Sequence, residues 1–175
     1  VSWTASWDFT NAPSQIGIAL ANDKIYVQDY SFSGDGKVYV ADATNQGALL
    51  WSADTPGSGS GCVTVNPDGQ VFLSGGYTTP KTRAYSASGS ILWTSELGGG
   101  WIATPSWSNG YVFIGGDSNA LNILQGTDGT LATSVTGKGP VAFGSNSFYT
   151  ICTSGKLYCY NSGVTYATLT MDVSP

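Results

Sequence analysis

Short runs rich in β-branched and aromatic residues recur along this chain, each closed by Asn, Asp, Ser or Gly. Four of them match in type: Lys24-Ile25-Tyr26-Val27, Gln70-Val71-Phe72-Leu73, Tyr111-Val112-Phe113-Ile114 and Phe148-Tyr149-Thr150-Ile151. They are preceded by Asn22-Asp23, Asp68-Gly69, Asn109-Gly110 and Asn146-Ser147, which is hairpin-turn chemistry. A further alternating run follows in each case: Lys37-Val38-Tyr39-Val40, Thr82-Arg83-Ala84-Tyr85, Leu121-Asn122-Ile123-Leu124 and Lys156-Leu157-Tyr158-Cys159. No 3.6-residue period competes, so the pattern predicts strands throughout and an all-β chain.

The runs belong to a repeat. Gly47-Ala48-Leu49-Leu50-Trp51, Gly89-Ser90-Ile91-Leu92-Trp93, Gly129-Thr130-Leu131-Ala132-Thr133 and Gly163-Val164-Thr165-Tyr166-Ala167 align, with glycine-to-glycine steps of 42, 40 and 34 residues. A period near 40 built only of strand signals predicts propeller-like units of four antiparallel strands. The units are expected at about 13–55, 56–97, 98–137 and 138–175 of a single repeat domain. Residues 1–12 are left over. There Trp3-Thr4-Ala5-Ser6 imitates Trp51-Ser52-Ala53-Asp54, which predicts a spare outer strand able to latch a ring or to pass between subunits.

Two stretches carry a family resemblance. Val38-Tyr39-Val40-Ala41-Asp42-Ala43-Thr44-Asn45-Gln46-Gly47-Ala48-Leu49-Leu50-Trp51, and its shorter copy from Ala84 to Trp93, resemble the blade signature of pyrroloquinoline-quinone-type β-propellers. In that signature an alternating strand leads through Asp-Ala-x-Thr-Gly to Leu-Trp. The third and fourth units keep the glycine and lose the tryptophan. The resemblance implies that Trp51 and Trp93 pack between neighbouring blades, as structural anchors together with Gly47, Gly89 and Gly129. It also raises quinone-dependent dehydrogenation. Such enzymes, however, close a longer ring around the cofactor and ligate calcium with an acidic set, whereas this chain has four units and one glutamate, Glu96. The resemblance therefore implies the fold more than the activity.

Composition narrows the function. Of the 175 residues only 10% are charged, against roughly 25% in an average soluble protein, so Ser, Thr, Asn, Gln and Gly must cover the surface. That favours an extracellular or cell-surface protein, or one that assembles. A net charge of −5, with six scattered basic residues, leaves no footprint for nucleic acid. No stretch is long and apolar enough for membrane insertion. The start at Val1 is read as a mature terminus or a boundary of a longer chain. Histidine is absent, which removes the usual general base and the commonest metal ligand.

The carboxylates give no catalytic pair. Asp23, Asp35, Asp68 and Asp128 stand in or beside turn sequences, where Asp serves the local backbone. Ser33-Gly34-Asp35-Gly36 and Gly116-Asp117-Ser118-Asn119 read as turns, without the spacing of a calcium loop. No catalytic, cofactor or metal residues are assigned, and no cofactor is expected. A hairpin turning at Gly155-Lys156 would set Cys152 opposite Cys159, within reach of a cross-strand disulfide; two reduced, packed thiols are the alternative. Cys62 is then odd.

Three functions follow, in this order. The first is a non-catalytic extracellular propeller that scaffolds or self-assembles as a homo-oligomer or polymer, with Trp3 and Trp7 on the assembly strand. The second is a carbohydrate-binding propeller, whose glycan contacts would be the aromatics Tyr30, Phe32, Tyr77 and Trp101. The third is a fragment of a quinone-dependent dehydrogenase.

Overall fold

The computed structural model describes residues 2–7, 13–29, 32, 34–57, 61–76, 80–100, 103–115 and 119–161. All regular elements among them are strands. Sheet 1 holds β1 (Pro13–Ala21), β2 (Lys24–Asp29), β3 (Lys37–Asp42) and β4 (Ala48–Asp54). Sheet 2 holds β5 (Thr64–Val65), β6 (Val71–Gly75), β7 (Lys81–Tyr85) and β8 (Ile91–Ser95). Sheet 3 holds β9 (Ser106–Ser108), β10 (Tyr111–Gly115), β11 (Ala120–Gln125) and β12 (Leu131–Thr136). Sheet 4 shows β13 (Val141–Phe143), β14 (Ser147–Ile151) and β15 (Leu157–Asn161). Every sheet is an antiparallel meander in chain order. The fourth sheet thus has three strands among the described residues, and the run Gly163 to Ala167 lies outside them.

Turn chemistry sets the hairpins. Asn22 and Asp23 both take positive φ, 51° and 57°, as do Asn109 and Gly110 at 49° and 83°. Two successive left-handed residues form the turn whose twist suits a two-residue hairpin, and Asn, Asp and Gly pay least for it. Asp42 and Asp128 organise later turns: Oδ1 of Asp42 accepts from Thr44 N and Oγ1 at 2.8 and 2.7 Å, and Oδ1 of Asp128 accepts from Thr130 N and Oγ1 at 2.9 and 2.7 Å.

The sheets stack face to face, which explains why their middle strands are buried on both sides. All of Val71-Phe72-Leu73-Ser74-Gly75 is buried, so period-two alternation is lost there. Tyr26, Val38 and Val40 of sheet 1 pack on Val63, Val71, Leu73 and Tyr85 of sheet 2. Phe72, Ala84 and Trp93 of sheet 2 pack on Val112, Ile114 and Leu124 of sheet 3. Phe113, Leu121 and Ile123 of sheet 3 pack on Val141 and Phe148 of sheet 4. Each sheet thus has a forward face toward its successor and a back face toward its predecessor.

The structure corrects two expectations. Residues 2–7 form no strand. They lie against sheet 1, where the outer edge of a preceding sheet would be needed to give them a ladder partner; residues 1 and 8–12 lie outside the described set. The fourth unit is also one residue out of step with the sequence alignment. Phe148 and Thr150 face sheet 3, as Val112 and Ile114 face sheet 2, so the counterpart of Phe113 is Tyr149 rather than Thr150.

Candidate functional site

Strand register gives each sheet an equivalent row across its three outer strands. In sheet 1 the row is Tyr26, Val40, Trp51; in sheet 2 it is Phe72, Ala84, Trp93; in sheet 3 it is Phe113, Ile123, Thr133. In all three the outer pair breaks into a bulge directly after the row, at Val40/Ala41, Ala84/Tyr85 and Ile123/Leu124. The same local geometry is therefore built three times, and only the last side chain changes type.

Each tryptophan of these rows spans to the next sheet. Trp51 Nε1 donates to Ala87 O at 3.1 Å, and its ring sits where a side chain on Gly89 would begin, 2.8 Å from the position of a Cβ. Trp93 Nε1 donates to Gly126 O at 2.9 Å, and its ring stands 2.4 Å from the Cβ position at Gly129. Both glycines have positive φ, 90° and 72°. Trp51 stacks on Tyr85 with ring centroids 6.4 Å apart, and Trp93 meets Phe72 at 6.0 Å.

A third glycine, Gly47, receives its indole from the N-terminal segment. Trp3 Cζ3 stands 2.8 Å from the Cβ position at Gly47, whose φ is 73°, and Trp7 Nε1 donates to Gly47 O at 2.9 Å. Residues 2–7 thus bring to sheet 1 what the outer strand of a preceding sheet would bring. An open groove of about 540 Å3, bordered by Ala5, Trp7, Lys37 and Tyr39, remains between the segment and the sheet.

The interface between sheets 3 and 4 lacks a tryptophan at the row position. Thr133 stands there, and a groove of about 390 Å3 opens beside it, lined by Phe113, Ile123, Phe143, Phe148 and Asn109 among others. Phe113 meets Phe143 and Phe148 edge-on, at centroid distances of 5.0 and 5.1 Å, and Phe148 stacks on Tyr160 at 5.0 Å.

The two end faces of the array are apolar and open. On the back of sheet 1, Ile18 and Leu20 occupy the places that Val63 and Val65 take in sheet 2, since Leu20 pairs with Ile25 as Val65 pairs with Val71. Val63 and Val65 belong to the core, yet Ile18 and Leu20 are 69% and 72% exposed. On the front of sheet 4, Tyr149 and Ile151 are 37% and 49% exposed, with Leu157 and Cys159 opposite them in the ladder. The sheets are therefore an open array, and its ends do not bury each other.

The sequence placed Cys152 opposite Cys159, and the structure does not. Cys152 N donates to Lys156 O at 3.1 Å, while Cys159 pairs with Tyr149. The turn closes earlier, around Thr153-Ser154-Gly155 with Gly155 at φ 74°, and this carries Cys159 three residues up the ladder. Cys62, Cys152 and Cys159 are all free thiols. A hydrogen bond with Ser154 holds the Cys152 thiol below its ordinary pKa, and burial pushes that of Cys62 up.

Of the four aromatics read as glycan contacts, Phe32 is exposed, and Tyr30, Tyr77 and Trp101 lie outside the described residues. Among the described residues no three acidic or cysteine side chains stand close enough to hold a metal ion. The pKa shifts have structural causes. Hydrogen bonds from Thr44 and Thr130 hold Asp42 and Asp128 below the usual carboxylate range, and the Lys37 ammonium does the same to Asp54. Burial pushes Tyr85, whose hydroxyl donates to Asp54 O, up to about 12.

No known sequence family and no curated protein matches this chain. Solved structures do match in shape. BamB from Moraxella catarrhalis superposes with a TM-score of 0.70 at 17% identity, over 89% of this chain and 48% of that one. The computationally designed Ika4 protein gives 0.67 at 16% identity, covering 89% of this chain and 94% of Ika4. The quinohemoprotein alcohol dehydrogenase ADHIIG from Pseudomonas putida HK5 gives 0.64 at 15% identity, over 83% of this chain and 32% of the enzyme. The fold is that of a quinoprotein-like β-propeller. The stacked sheets are its blades, and the tryptophan-on-glycine contacts are the seams between them. The chain spans about half the length of BamB. At these identities the likeness concerns the propeller fold alone.

Proposed function

We propose that this chain is a non-catalytic structural propeller segment that acts by assembling, its blades continuing into those of a second copy. One observation carries the reading: Ile18 and Leu20 present on the first blade the apolar pair that Val63 and Val65 bury on the second. The last blade offers Tyr149 and Ile151 in return. Two such faces joined head to tail would repeat the seam the chain already makes between its own blades, and a ring closes if the rotation allows. In the joined form residues 2–7 would lie beside the fourth blade of the partner copy, with Trp3 seated on Gly47 as it is in the single chain. The sparse charge of the chain, 10% of residues, fits an extracellular or cell-surface scaffold.

The test is the mass of the native particle by light scattering across a wide concentration range, for the intact chain and for the double variant Ile18→Lys, Leu20→Lys. A dimer or larger particle that the variant reduces to a folded monomer supports the assembly. A monomer at every concentration for the intact chain overturns it. A longer gene that continues in further units of about 40 residues would supply the missing neighbours within one chain, and would overturn it too.

A further inference from the structure

We propose that two copies of this chain, and no more, close head to tail into a ring of eight blades, a step that rests on the assembly proposed above and fixes its number and its seam. β-Propellers run from about four to eight blades around their axis. The chain carries four sheets. Whole copies therefore meet that range only as one chain closed on itself or as two joined together. The first does not hold, because Ile18 and Leu20 stand exposed at one end of the array and Tyr149 and Ile151 at the other. Intermediate rings cannot be built from whole copies of four. The four blades also superpose on part of BamB, a chain about twice as long, so their steps from blade to blade are those of a larger propeller. With two copies every end face is spent, and growth stops.

The two end faces match the faces of the first seam residue by residue. Strand pairing puts Tyr149, Leu157 and Cys159 of the fourth blade where Tyr26, Val38 and Val40 stand on the first. The two sets carry the same number of side-chain heavy atoms. Tyr26, Val38 and Val40 are buried because Val63, Val71 and Leu73 of the second blade pack on them. The same pairing places Ile18, Ile25 and Val27 of the first blade at the positions of Val63, Val71 and Leu73. That set is again aliphatic throughout and one carbon larger. Swaps that conserve volume and apolar character keep a packed contact. None of the six end-face side chains is charged, so joining them strips no ion of its water. The front of the fourth blade thus has the shape of a face that a back like that of the first blade covers.

The experiment is light scattering of the intact chain at rising concentration, beside a single chain that carries two copies in tandem. The intact chain should level off at the mass of two copies, and the tandem chain should run at that same mass without pairing further. Cys159 reports on the seam itself, because its counterpart Val40 is fully buried. Maleimide labelling, located by peptide mass spectrometry, should proceed about tenfold more slowly at Cys159 in the two-copy particle than in the Ile18→Lys, Leu20→Lys chain. A particle that keeps growing with concentration, one that settles at three or more copies, or a tandem chain that pairs would leave assembly standing and overturn the ring of two. Equal labelling of Cys159 in both states would overturn the seam. A monomer at every concentration would overturn the ring and the assembly together.

Discussion

The ring of Trp51 occupies the space that a side chain at residue 89 would need: a Cβ on Gly89 would stand 2.8 Å from both Cδ2 and Cε3 of the indole. The glycine is therefore required twice, by its φ of 90° and by the contact. Gly110 separates the two demands, because its φ is 83° but nothing lies within 4 Å of its Cβ position. Gly110→Ala should cost only the left-handed backbone, about 1–2 kcal/mol. Gly89→Ala and Gly129→Ala should cost about 1–3 kcal/mol more, because the seam is overpacked. Urea unfolding of the three variants checks the difference, and equal losses would remove the steric argument.

Stability should fall at both ends of the pH scale for different reasons. Tyr85 titrates near 10 when unfolded and near 12 in the fold, because burial disfavours its anion. The folded state therefore keeps a proton that the unfolded chain has lost. Its contribution is complete below about pH 10 and declines by about 1.4 kcal/mol per pH unit until about pH 12. Tyr85→Phe should lack this decline in urea unfolding measured across that window. On the acid side the carboxylates of Asp42 and Asp128 titrate lower in the fold than outside it. Their contribution is present above the ordinary carboxylate pKa and lost as pH falls through the folded values. Asp42→Asn with Asp128→Asn should flatten that acid limb.

Thiol titration distinguishes the observed hairpin from the one in which Cys152 faces Cys159. The chain denatured without reductant should give three thiols, the number of its cysteines. One thiol would mean that the two cysteines are bridged. In the folded protein Cys62, half-buried and with its thiol pushed up by burial, should react more slowly than it does in the denatured chain.

The sequence by itself determined the strands, because residue type at the turns and within the runs leaves no other regular structure. Asn22-Asp23 and Asn109-Gly110 adopt the left-handed turns their chemistry favours. The repeat of glycine and tryptophan near 40 residues was legible as propeller blades, since a unit that cannot bury both faces alone must stack. What sequence could not settle was register. A slip of one residue moves a side chain to the opposite face, and so the aromatic row of the fourth blade passes through Tyr149 and not Thr150. The Cys152 hairpin failed for the same reason: the place of a turn within Thr153-Ser154-Gly155-Lys156 depends on which ladder the flanking strands join. The Trp3 imitation of Trp51 was visible in the letters, but its seat on Gly47 was not, because the contact joins residues 44 positions apart through the face of a sheet. The loss of tryptophan at Thr133 was likewise plain in the alignment. The groove that Phe113, Phe143 and Phe148 line beside it was not, since residues that far apart in the chain meet only where sheets 3 and 4 stack.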